Sequence, residues 1–467
     1  MNFLRLVPIF FTLVFFEKTA AQTVPPELAT LLDRKLDSMR IVLNVKSLGA
    51  SLQLSNNAVW AGASGISSTF PLDSVTPSHA YAIGSITKTI TSACILQLAD
   101  EGILNLNDSL HKWIEPIQFV NPNITIRQLL RHQSGLYDVI TNPDYDAATK
   151  ANLDSIWNLE DVVKGFIKAP LFAAGTNWSY CNTNYLLLGI IVEKATGKPY
   201  YQEYKNRFFT PLGLNTLDIA PYDPLPVPRA HFWTTNGQDG DSFFSNWISF
   251  FTSAGPAGGY FSTPADVAVW MRAFMGGKLH SSDIMAQAKT VVTAPGLPAG
   301  VKYGLGLMEL NVLGQKGYGH GGDIGYSSFS LYFPAKDVSI SVLNNDQKKT
   351  SWMLIPVVQA LLKACMDYEM SVATNSPFES SGFDVNIAPN PFSDYLHVSM
   401  DLPNKVDKID MVVTNTLGQV MAITSTRDLP EGVQQLSVDN LENLSPGMYF
   451  LSVVLDEKVV KTVKVYK

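Results

Sequence analysis

The chain has 467 residues, more than one hydrophobic core usually serves, so two domains are expected. It is 46% hydrophobic and 16% charged, the balance of a globular protein. A formal net charge of -7, with no basic stripe to neutralise phosphates, argues against a nucleic-acid partner.

Residues 1–21 carry an early Arg5, an apolar run from Leu6 to Phe16 and the small residues Thr19, Ala20 and Ala21. That is the layout of a secretory signal peptide, with a mature start at Gln22. The run is short for a transmembrane helix, and no later stretch is long enough, so no membrane span is expected in the mature chain. Cys94, Cys181 and Cys365 are too few, and odd in number, for a disulfide framework. Metal-ligand spacings are missing, so neither a metal nor another cofactor is expected.

The next segment, YAIGSITKTITSACILQLADEG (Tyr81–Gly102), holds the first candidate chemistry. Lys88 is the one formally charged residue between Asp73 and Asp100, in a helix apolar or small on nearly every side. Lysine is almost never buried without a reason. Ser85, three residues earlier, shares its helix face. A desolvated lysine has a lowered pKa and can take the proton of a serine hydroxyl, a weak nucleophile until something does. Gly84 allows a sharp turn, which sets Ser85 at the helix N-terminus, where free N–H groups favour developing negative charge. The spacing alone is weak evidence, since Ser109 and Lys112 repeat it beside Asp108 and Glu115 in what reads as solvated surface.

Further along, His132 in LLRHQSG reads as a structural loop residue. Tyr180 and Asn182 fall on a loop before NYLLLGIIVEKATG (Asn184–Gly197), a helix with an apolar body and a glycine stop. A second Tyr-x-Asn, at Tyr204 and Asn206, lies in an amphipathic helix where tyrosines are ordinary packing residues. The aromatic-rich stretch His231–Phe251 fits a cleft wall or a lid, and buried packing equally well. GYGHGGDIGYSS places His320, Gly321 and Gly322 at what reads as a strand start. Two strands are expected in Ser327–Asn345 around a Pro-Ala-Lys-Asp turn, and a closing helix over Thr350–Met370, with Pro356 near its first turn or at a kink. The small, polar stretch 373–382 reads as a linker. Short β-type runs then fill 383–467, the pattern of a small antiparallel sandwich.

Ser85/Lys88, Tyr180/Asn182 and His320/Gly322, in that order, resemble the motifs of the serine β-lactamase and penicillin-binding-protein superfamily, most closely its class C β-lactamase-like branch. ITIRQLLRHQSGL, FTPLGL and GPAGGYFSTPADVAVWMRAF resemble flanking segments of the same branch. The resemblance covers Leu32 to Lys363 and implies, for 22–372, an α/β (α+β) fold of an antiparallel sheet flanked by helices plus an all-helical subregion. It implies that Ser85 attacks a carbonyl to form an acyl-enzyme that water cleaves. Lys88 and Tyr180 share the proton work, with either as base. Asn182 contacts substrate or orients Lys88, and the backbone N–H groups of Ser85 and Asp323 form the oxyanion hole. Gly321 and Gly322 let a substrate lie against the strand. His320 stands where β-lactamases proper usually have lysine. A histidine is charged only part of the time near neutral pH, which favours peptidase, amidase or esterase chemistry over an efficient β-lactamase, and any contact of His320 with a substrate anion would weaken as pH rises.

IAPNPFSDYLHV, NTLGQVMAI and the final NLSPGMYFLSVVLDEKVVKTVKVYK resemble the type A sorting domain of the type IX secretion system over Phe383–Lys467. That implies handling by the type IX machinery, export through the periplasm, and a secreted or cell-surface product. The expectation is a secreted serine hydrolase acting on a small-molecule or peptide substrate. The alternative is a non-hydrolytic surface binding or sensor protein that keeps the fold.

Overall fold

A computed structural model describes residues 23–69, 71–219, 222, 225–241, 247–375, 385–415, 419–456 and 458–467. The expected signal peptide lies outside them. Contacts divide the chain into two compact units, Met1–Ala364 and Cys365–Lys467.

The first unit is built on an antiparallel sheet. Its strands are β1 (Ser47–Gln53), β2 (Val59–Thr69), β3 (Leu72–Ser74), β6 (Val292–Thr293), β7 (Lys302–Tyr303), β8 (Met308–Val312), β9 (Gln315–Ile324), β10 (Tyr326–Phe333) and β11 (Val338–Asn344), while β4 (Tyr81–Ala82) and β5 (Phe261–Ser262) pair separately. The order across the sheet is β3-β2-β1-β11-β10-β9-β8-β7-β6. β1, β10 and β11 are buried along their whole length, as expected of central strands covered on both faces. Ser339 and Ser341 alternate with Val338, Ile340 and Val342, so the serines share one face. Their small hydroxyls donate to the carbonyls of Ala268 (2.7 Å) and Pro264 (2.5 Å), which brings the helix Pro264–Met275 close to the sheet. The helix Pro26–Leu43 packs on β1 and β2.

The helical part is centred on Thr87–Asp100, which is buried on nearly every side as its sequence implied. Each buried hydroxyl in its middle has a partner. Thr91 donates to the Pro256 carbonyl at 2.7 Å, Ser92 to that of Leu305 at 2.6 Å, and Thr89 accepts from the Trp270 indole at 2.8 Å. The helices Thr183–Thr196 and Ile248–Gly258 pack against it. Gly197, in the left-handed region at φ 70, ends the former where a glycine stop was expected. The closing helix begins at Ile355, with Pro356 in its first turn, and runs to Asn375, so the expected linker is helical over its first residues; 376–384 are not described.

From Val385 onward the second unit is all β among the described residues. β12 (Val385–Ala388), β13 (Leu396–Leu402) and β16 (Gly432–Val438) form one sheet; β15 (Val420–Leu429), β14 (Val406–Asn415), β17 (Met448–Leu455) and β18 (Lys458–Tyr466) form the other. Inward Leu396, Val398, Met400, Ile409, Met411, Val413, Leu451 and Val453 alternate with outward residues and fill its core. Among the described residues, no helix is long and apolar enough to cross a membrane.

Candidate active site

Ser85 sits in a tight turn, Gly84–Ile86, that feeds directly into the helix Thr87–Asp100. Gly84 has φ +51, a conformation that favours glycine, and a Cβ there would lie 3.0 Å from the Asp323 amide nitrogen. Conversely, a Cβ on Gly322 would lie 2.8 Å from the Ser85 amide nitrogen and 2.1 Å from the Ile83 carbonyl oxygen. The turn and β9 therefore press backbone to backbone, with the amides of Ser85 and Asp323 beside the contact. Ser328 on β10 donates to the Ile83 carbonyl at 2.7 Å and pins the turn to the sheet. Ser85 remains partly exposed at the wall of a 260 Å³ cleft.

Lys88 is fully buried. Its Nζ lies 3.0 Å from Ser85 Oγ, 2.7 Å from Asn182 Oδ1 and 2.6 Å from the Ala257 carbonyl oxygen. The rings of Tyr180 and Tyr185 stand 5.0 and 5.4 Å away. Burial pushes its pKa from 10.5 down to about 7, against the opposing pull of Asp138 and Cys181. Asn182, at the start of the helix Thr183–Thr196, donates from Nδ2 to Asp138 Oδ2 at 2.8 Å. That bond fixes the amide so that its carbonyl oxygen faces Lys88. Asp138 also caps the short turn Val139–Thr141 by accepting from the Ile140 amide, and burial raises its pKa.

The Tyr180 hydroxyl is buried and has no partner of hydrogen-bond geometry. Burial raises its pKa well above 10, and the nearby Ser85 hydroxyl offsets this only in part. The Tyr180 ring lies on His132, with centroids 4.3 Å apart.

His132 opens a buried chain that links the second and third motifs. Its Nδ1 accepts from the Cys181 amide and from Asn184 Nδ2, both at 3.2 Å. The bonding pattern thus places the proton of a neutral His132 on Nε2, which donates to the Tyr303 hydroxyl at 3.1 Å. Tyr303 donates to His320 Nε2 at 2.9 Å, and His320 Nδ1 donates to the Gly321 carbonyl at 2.5 Å. Burial and the Lys88 charge push His320 down to about 3, and His132 also falls well below 6.5 for the same two causes. His320 is therefore neutral, with both nitrogens engaged. This corrects the expectation that it is charged part of the time, and it leaves neither nitrogen to meet a substrate anion. It also sits inside β9 rather than at a strand start. His132 is structural, as expected, yet it supports the site directly.

Ser85, Tyr180, Asn182, His320, Gly321 and Asp323 line the cleft, Lys88 lies beneath Ser85, and Gly322 backs the turn. The Asp323 carboxylate is spent on Ser351, accepting from its amide and its hydroxyl at 2.7 Å each. Sequence reasoning missed Asp138, Tyr303 and Ser351. The repeated motifs lie elsewhere. Lys112 is exposed and pairs with Asp108 at 2.8 Å, and Tyr204 is core, donating to Thr91 at 2.9 Å. From the aromatic-rich stretch, Phe250 lines the cleft and Phe232 and Phe251 are core; 242–246 lie outside the described residues.

The chain belongs to the beta-lactamase family: residues 45–357 match it, and residues 386–466 match the secretion system C-terminal sorting domain. The sorting domain marks it for secretion or the cell surface. The chain is 35% identical over 144 residues to penicillin-binding protein 4* of Bacillus subtilis (strain 168), a match covering 30% of each chain. The match thus spans less than a third of that relative. A D-stereospecific amidohydrolase from Streptomyces sp. has TM-score 0.61 and 27% identity, over 72% of this chain and 98% of its own. A D-amino acid amidase from Ochrobactrum anthropi SV3 shares the fold, with TM-score 0.64 and 21% identity over 73% of this chain and 99% of its own.

Proposed function

We propose that the chain hydrolyses an amide or ester bond through a Ser85 acyl-enzyme. One observation carries this reading. A neutral lysine amine has two N–H donors and one lone pair. Two partners of Lys88, Asn182 Oδ1 and the Ala257 carbonyl, are acceptors only, and the third is a hydroxyl that can donate. Ser85 Oγ can also accept, so the pocket holds either form of Lys88; burial brings its pKa to about 7, so the free amine is populated near neutral pH, 3.0 Å from the hydroxyl whose proton it can take. Lys88 takes the Ser85 proton as Oγ attacks the carbonyl carbon, and the amides of Ser85 and Asp323 receive the developing oxyanion. Tyr180, which stays protonated near neutral pH, hands a proton to the leaving group and recovers one from Lys88. Water then cleaves the ester on Ser85 by the reverse relay. The amide-cleaving name of the Streptomyces neighbour supports an amide among the substrates. Handling by the type IX machinery and passage through the periplasm fit the sorting domain.

The test is covalent labelling of the full chain with a fluorophosphonate probe. Wild type is expected to label and Ser85→Ala to stay unlabelled; undiminished labelling of the variant would end the reading.

A further inference from the structure

Substrate charge is decided by what the cleft offers beyond Ser85. No lysine or arginine lines it among the described residues. The undescribed internal positions of the same unit, 70, 220, 221, 223, 224 and 242–246, include neither residue type. Lys88, beneath Ser85, is fully buried and spends its three contacts on Ser85, Asn182 and Ala257. His320 spends both nitrogens on Tyr303 and Gly321. The Ser351 hydroxyl is given to Asp323, and Asn182 gives a proton to Asp138. Among the described lining residues Asp323 is the one charged side chain; its residue is exposed, and although partial burial of the carboxyl raises its pKa, it offers an anion no counter-charge. Much of the remaining wall is apolar, formed by Ile140, Phe250, Leu297, Met308, Ile324 and Trp352. A carboxylate brought here would lose water and gain no counter-charge.

We propose that the site selects uncharged amides and esters with an apolar group next to the scissile carbonyl, and rejects substrates that carry a carboxylate near it. The proposal rests on the Ser85 hydrolase reading and sharpens it. The Tyr180 hydroxyl, which has no partner of hydrogen-bond geometry, and the backbone amides of Ser85 and Asp323 at the turn are assigned to the leaving group and the reacting carbonyl, and none is a counter-charge for a second, anionic anchor.

Matched pairs test it on the full chain. On the leaving side, N-acetyl-D-phenylalanyl-D-alaninamide is compared with N-acetyl-D-phenylalanyl-D-alanine; on the acyl side, 4-nitrophenyl butyrate with 4-nitrophenyl hemisuccinate. The neutral member of each pair is expected to have a kcat/KM about 10-fold higher or more, since unpaired or like charge suppresses a wrong partner. Leu297→Lys, on the cleft wall, should narrow that ratio, and added salt should restore it. Equal or faster turnover of the anionic members by wild type would overturn the inference and leave the Ser85 reading standing. Undiminished hydrolysis by Ser85→Ala would overturn the Ser85 reading itself. A measurement without turnover gives a second arm: calorimetric titration of Ser85→Ala with N-acetyl-D-phenylalaninamide and N-acetyl-D-phenylalanine. Tighter binding of the amide supports the proposal, and equal or tighter binding of the acid overturns it.

Discussion

Two places in the chain carry a serine three residues before a lysine, and they could hardly differ more. At Ser109–Lys112 the lysine is 54% exposed and pairs at 2.8 Å with Asp108, one turn away. At Ser85–Lys88 the lysine is fully buried, and its carboxylate, Asp138, stands behind the amide of Asn182. The exposed lysine keeps its hydration and its charge, and such a pair contributes little. The buried one is pushed to about 7 because the ammonium has lost its water and regained only part of that loss from Asp138. The contrast teaches that spacing puts two side chains on one face, while solvent exclusion decides whether they can exchange a proton.

The largest expected effect separates the two sites outright. Lys88→Ala should lower kcat/KM on a neutral ester by about 10²- to 10⁴-fold, the usual weight of a positioned general base. Lys112→Ala should leave it unchanged. Comparable losses in the two variants, measured under the same steady-state conditions, would remove the distinction. In wild type, kcat/KM should rise with pH through about 7, as Lys88 loses its proton and becomes the base.

A smaller effect concerns what keeps water from the buried lysine. Tyr303 holds His132 on one side and His320 on the other, both neutral. Tyr303→Phe preserves the ring but strands a buried donor on His132 and a buried acceptor on His320. Each stranded group costs about 1–3 kcal/mol, so the thermal unfolding transition should move clearly downward. An unmoved transition would mean the chain adds no stability. Deletion of a surface hydroxyl near Lys112 should do nothing comparable.

These residues also mark where the sequence stopped being legible. Ser85 and Lys88 stood out because their chemistry is local: one turn, one helix face, one charge in an apolar run. Tyr180 and Asn182 were readable as a loop before a helix with a recognisable motif. Tyr303 was not, since it lies on a two-residue strand without periodicity and meets its histidine across 171 positions through sheet register. His320 was misjudged in charge for the same reason, because nothing in GYGHGG says that both ring nitrogens are filled. Asp138 caps the turn Val139–Thr141, and its second duty toward Asn182 appears only when the helix Thr183–Thr196 is in place.

Asp138 gives the smallest of these effects and the finest test of the comparison, because Asp108 is its exposed counterpart. The groups facing Lys88 are Ser85, Asn182 and the Ala257 carbonyl, the rings of Tyr180 and Tyr185, the neutral His132 and His320, the thiol of Cys181, and Asp138. Of these, Asp138 is the carboxylate, and its negative charge favours the ammonium form of Lys88. Removing that charge therefore makes Lys88 easier to deprotonate. Asp138→Asn should move the rising limb of kcat/KM to lower pH, by about one unit or less, since a pair interaction worth 1.4 kcal/mol corresponds to one unit. Asn still offers an oxygen to Asn182, so the amide keeps its orientation and the shift reports charge. Asp108→Asn should leave the limb in place, because its field is screened by water and acts on a lysine outside the site. An unmoved limb in Asp138→Asn would mean that this carboxyl, already raised in pKa by burial, carries its proton through the neutral range and that desolvation alone sets the lysine.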